Sequence, residues 1–80
     1  MYYFILTIQV VIDDVLNLTI RIGIKSDTNN YKLNIAKQTA ENYFRKLYPT
    51  NKMLTTLFTI PEQVTKEEFI AQSHNFIEVS

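Results

Sequence analysis

There is no cysteine among the 80 residues and only one histidine. That removes disulfides, thiolate metal sites and any histidine-rich ligand set. A single glycine, Gly23, leaves no material for a glycine-rich phosphate cradle. Two prolines, Pro49 and Pro61, and no Pro-, Gly- or Ser-rich tract argue against internal linkers, and no segment repeats. No apolar run reaches the ~18 residues of a membrane span. Residues 1–12 are apolar enough to resemble the core of a secretory signal. They lack a basic lead-in and a small-residue cleavage site, however, and Thr7 and Gln9 interrupt them with strand alternation. The expectation is a soluble cytoplasmic protein forming one α+β domain over residues 1–80, with no cofactor, metal or membrane.

Net charge is also missing: eight basic side chains meet eight acidic ones. Their distribution is uneven. Residues 21–52 carry seven basic groups against Asp27 and Glu41, while residues 53–80 carry Lys66 against Glu62, Glu67, Glu68 and Glu78. A core of this size supplies only ~3–5 kcal/mol unless something staples it. With covalent staples absent, self-association is the remaining one, so a homodimer or larger oligomer is expected.

What is present begins with an alternation. Tyr2, Phe4, Leu6, Ile8, Val10 and Ile12 are apolar at even positions, and Leu16, Leu18, Ile20, Ile22 and Ile24 continue the series. The odd positions Asn17, Thr19, Arg21, Gly23 and Lys25 are not apolar. Successive side chains of a strand point to opposite faces, so a period of two reads as a long hairpin whose even face is the core. Even must oppose even across it, which rules out a two-residue loop at Asp13 and Asp14. A five-residue loop ending on Asn17 is expected over a three-residue loop ending on Val15, because Asn tolerates a left-handed backbone and Val does not.

After a polar connector at residues 26–30, Ala36, Ala40, Tyr43, Phe44 and Leu47 form one helical stripe, with Asn34 as the expected N-cap and Pro49 behind the helix end. Residues 53–60 read as a third strand with Leu54, Thr56, Phe58 and Ile60 on its core face. Thr65 and Glu68 are spaced as a capping box for a short second helix over residues 66–73, anchored by Phe69 and Ile70, with Asn75 as a left-handed cap. Residues 76–79 close the chain as a fourth strand. The fold class is therefore α+β: a four-stranded, mainly antiparallel sheet with two helices, in the order β-β-α-β-α-β, and the first strand central.

Few residues carry chemistry. His74 lacks an orienting acid and a nucleophile close by in sequence, so an enzyme built on it with Tyr43, Tyr48 or a glutamate is disfavoured. The pairs Asp13 with Asp14 and Glu67 with Glu68 are adjacent only in sequence. Gly23 marks a bulge or the close approach of another chain. The most suggestive surface is the other sheet face, where Tyr3, Ile5, Thr7, Gln9 and Val11 are joined by Met53, Thr55, Leu57 and Thr59. Half-apolar and in need of cover, it is either a candidate partner or oligomer face, carried by Tyr3, Ile5, Thr7, Val11, Met53 and Leu57, or a face to which one helix crosses or over which loops fold. Arg21, Lys25, Lys37, Arg45 and Lys46 are the alternative, an anion or nucleic-acid patch, on a chain that is neutral overall. The use of Ile, Asn, Lys, Tyr and Phe suits an AT-rich genome of a phage or mobile element. The reading is a non-enzymatic binding or inhibitor module that blocks a host protein or captures a small molecule.

Overall fold

The computed structural model describes residues 1–79. It is an α+β fold with a five-stranded sheet and two helices. Strands β1 (Tyr2–Ile12) and β2 (Leu16–Ser26) form the long hairpin, followed by helix α1 (Leu33–Arg45) and strand β3 (Met53–Leu57). A fifth strand not foreseen from the sequence, β4 (Glu62–Val64), precedes helix α2 (Lys66–Ala71). A single turn of 3-10 helix, Ser73–Asn75, leads into β5 (Ile77–Val79). Strand β1 is central: β2 lies on one side of it, and β3 and β4 share the other, while β5 adds outside β2 as the one parallel pair.

The even positions of both hairpin strands do face one way. Phe4 pairs with Ile24, Leu6 with Ile22, Ile8 with Ile20 and Val10 with Leu18. These residues form the main core with Ala36, Ala40 and Phe44 of α1. The two alanines let the helix backbone approach the sheet. Leu47 and Tyr43 fall away from the stripe into solvent, and Tyr48 and Leu33 take their place at its ends.

The hairpin loop is the three-residue one, since Ile12 pairs with Leu16. The left-handed residues are Asp13 and Asp14, not Val15, so the steric objection to valine does not arise. Both aspartates have a second use. Asp13 accepts from the Asn51 side chain and from the Lys52 backbone N–H, and Asp14 pairs with the Lys52 ammonium at 3.1 Å. Arg45 donates to the carbonyls of Tyr48 and Asn51. The hairpin tip thus clamps the turn between α1 and β3. Asn34 sits inside the helix rather than capping it: the N-cap is Lys32, with a left-handed backbone and no side-chain cap bond.

The face of β3 is the reverse of that expected. Ile8 pairs with Leu57, Val10 with Thr55 and Ile12 with Met53, so Met53, Thr55 and Leu57 share the α1 side. Thr55 is buried there because its hydroxyl donates to Glu41 of α1 at 2.7 Å. Leu54, Thr56 and Phe58 face the other way. The strand also ends early. Phe58 still donates to the Thr7 carbonyl, but Glu62 pairs with Ile5, so residues 59–61 stand opposite Leu6 alone. Pro61 cannot donate to a ladder and is tolerated in such an interruption, which pushes Ile60 out to 86% exposure.

The two helices lie on opposite faces. Strands β2 and β3 are both antiparallel to β1 and so parallel to each other, and α1 crosses between them on the even face. Strands β4 and β5 are likewise parallel, and α2 crosses back in the opposite direction. Two crossovers of one hand that run in opposite directions need opposite faces. The capping box forms as read, with Thr65 and Glu68 each satisfying the other's backbone N–H, an arrangement that also holds the Glu68 carboxyl below its ordinary value. Phe69 is its buried anchor, whereas Ile70 is exposed, and Asn75 does not take a left-handed cap.

Gly23 lies in unbroken register with β1 rather than at a bulge. The close approach is made by the Phe76 ring of the same chain, whose atoms a Cβ at this position would overlap. Gly23→Ala is expected to destabilise the fold by about 1–3 kcal/mol through overpacking, read from chemical denaturation; an unchanged midpoint would show that Phe76 moves freely. A second expectation concerns Asp13. The Asn51 amide, and then the Lys52 N–H, hold its carboxyl below the ordinary carboxylate range. A lowered folded-state value stabilises above the unfolded value and is lost as pH falls through the folded one. The unfolding midpoint should therefore fall less on acidification in Asp13→Asn than in the wild type, and parallel pH profiles would contradict this.

Candidate binding face

The odd face of the sheet divides into two halves. At one end Tyr3 and Ile5 of β1 are covered by α2: Phe69 packs on Tyr3 with ring centroids 5.2 Å apart and on Phe76 at 4.7 Å. Ile5 is only 2% exposed. Burying a phenylalanine such as Phe69 contributes about 1.5–3 kcal/mol, which a six-residue helix needs because it cannot persist alone. Arg21 of β2 donates to the Gln72 side chain at 2.9 Å, and Lys25 pairs with Glu78 at 3.1 Å. These contacts tie the segment after α2 to the sheet.

The other half carries no helix. Thr7, Gln9 and Val11 of β1, Asn17 and Thr19 of β2, and Leu54 and Thr56 of β3 line it, with Phe58 just beyond. Leu54 and Phe58 are 56% and 55% exposed, and Val11, opposite Leu54, is half-buried. Of the six residues expected at the centre of this face, Thr7 and Val11 remain on it in the open. Tyr3 and Ile5 are on it but covered. Met53 and Leu57 are on the opposite face, packed against the α1 core. Leu54 and Phe58, read as core, are the apolar groups this surface presents.

The basic residues do not converge. Arg21 and Lys25 lie on the odd face and are engaged with Gln72 and Glu78, while Lys37, Arg45 and Lys46 belong to α1 and its cap on the even face. Arg45 is occupied by backbone carbonyls. His74 is exposed in the 3-10 turn, and Tyr43 is on α1, across the sheet from α2. Among the described residues no three His, Cys, Asp or Glu side chains come together, and no helix is long and apolar enough to cross a membrane. A hollow of about 190 Å³ lies between α2 and the sheet, lined by Tyr3, Lys25, Lys66, Phe69 and Ser73 among others.

No family model, curated protein or solved structure matches this chain. Its own surface carries the functional reading. With basic groups split between two faces and three of the five internally engaged, titration with duplex DNA or single-stranded RNA at low salt should show no saturable binding. Saturable binding that weakens steeply with added salt would contradict this, since phosphate contacts release counterions.

Proposed function

We propose that this chain is a small non-enzymatic binding module, assembling as a homodimer or larger oligomer, that holds a partner protein against the open half of its odd sheet face. The observation behind this reading is the placement of Val11, Leu54 and Phe58 among Thr7, Gln9, Thr19 and Thr56, on a sheet face that no helix covers. The row Thr56, Gln9 and Thr19 offers hydrogen-bonding groups, with Leu54 and Val11 to one side of it and Phe58 to the other, a mixture of apolar and uncharged polar groups that suits a protein interface. Lysine and glutamate, which protein interfaces tend to exclude, are absent from it. In a phage or mobile-element setting, the partner is a host protein and the action is to block it, because a module without a catalytic grouping acts by occupancy.

Capture of a small molecule is the second reading, and the hollow beneath α2 favours it with aromatic walls and two lysines. Its 190 Å³ falls below the ~300–1,000 Å³ of ordinary ligand sites, and the hollow of about 530 Å³ elsewhere is lined by the single segment 29–35, so the protein partner on the open sheet face is preferred. Nucleic acid has no comparable surface here.

The face is tested with tagged chain and extracts of the native host. Phe58→Glu and Leu54→Glu, both exposed and expected to fold normally, should reduce retention of a specific partner at least tenfold. Lys37→Glu on α1 should retain it in full. Undiminished capture by both face variants would move the binding surface elsewhere.

A further inference from the structure

We infer that two copies of this chain join edge to edge through β2, forming one continuous sheet across a twofold axis beside Leu18. This rests on the oligomeric part of the reading above and names the surface that serves it.

Sheet edges invite pairing, and folded proteins guard them with charges, prolines, bulges or shortness. Two of the edges here are guarded. The outer edge of β3 and β4 is broken by residues 59–61 and Pro61. That of β5 is three residues long with Glu78 at its middle. Strand β2 differs, because β5 pairs only with Ile22, Gly23 and Ile24. Leu16, Asn17, Leu18, Thr19 and Ile20 are left with a free outer side, no charge, no proline and an unbroken register to β1.

The backbone phase is fixed by β1. Its Thr7 carbonyl accepts from Phe58 on the β3 side, so odd residues of β1 direct their backbone groups toward β3 and even ones toward β2. Even opposes even across the hairpin. The even residues of β2 therefore bond inward, and Asn17 and Thr19 present N–H and C=O outward, in phase with Gly23 where β5 attaches.

A twofold axis normal to the sheet keeps each face on its own side, so an antiparallel pairing of β2 with itself must again set even against even. Centred on Leu18, it places Asn17 opposite Thr19 of the second copy, and these are the residues with outward backbone groups. Each such pair exchanges two N–H···O=C bonds. Leu16, 39% exposed, meets Ile20 of the second copy, and Leu18 meets itself. The same register thus satisfies the free backbone and joins the apolar even faces, while the odd face stays open for another partner.

Size exclusion with light scattering on the full chain is expected to give twice the 9.4 kDa chain mass. Thr19→Pro removes an outward N–H that β1 does not use, so it should fold, with an unchanged far-ultraviolet dichroism spectrum, and run as a monomer. Phe58→Glu, on the open face, should remain a dimer. On the wild type, hydrogen exchange at the Asn17 and Thr19 amides should slow as protein concentration rises, which needs no variant to fold. A monomeric wild type, a folded Thr19→Pro dimer, or concentration-independent exchange at both amides would each overturn the edge pairing. Loss of the dimer in Phe58→Glu alone would assign self-association to the open face instead.

Discussion

Ile5 and Leu6 are neighbours in a strand, so they point to opposite sides of the sheet, and both are out of water. The rest of the architecture follows from that requirement. A strand buried on both faces needs a layer on each, and this chain has two helices to supply them. Helix α1 lies over Leu6 and α2 over Ile5. Because the crossovers run in opposite directions across β1, a common hand delivers one helix to each side without further instruction.

The even face was legible in the sequence because its alternation is unambiguous: five even positions of β2 are apolar and their odd neighbours are not. The α1 stripe and the α2 capping box were legible for the same reason, each being a pattern with few competitors. Strand β3 was not. Met53, Thr55 and Leu57 form one parity, and Leu54, Thr56 and Phe58 the other, each with two apolar residues and a threonine. Parity alone cannot choose between them. The decision is made by Glu41, which accepts the Thr55 hydroxyl and so allows a polar side chain into the core. That contact links residues 14 apart in different elements, and no local pattern signals it.

The hairpin loop was missed for a related reason. The residue that ends the loop does not decide its length, because the left-handed positions fall on the first two residues. Asp13 and Asp14 bear that conformation while their carboxylates hold Asn51 and Lys52, so the loop's conformation and the seating of β3 are one structure. With β3 held at its start by this clamp and β4 paired to β1 further along, the excess chain between them has to bulge outward. Ile60 is exposed as a consequence of where the two ends are fixed.

Helix length explains why half of the odd face stays open. Thirteen residues make α1 about 20 Å long, and six make α2 about 9 Å, against roughly 36 Å for the eleven residues of β1. The longer helix, with Leu33 at its start and Tyr48 beyond its end, spans most of its face. The shorter one, even with Phe76 laid on Gly23, reaches from Tyr3 only to about Arg21. A sheet face that merely has to tolerate water needs threonine and glutamine, and Thr7, Gln9, Thr19 and Thr56 meet that need. Leu54 and Phe58 do not, since each could be polar without loss to either core. Their presence on the uncovered half is a feature that folding does not require, and it is the feature on which the proposed partner surface rests.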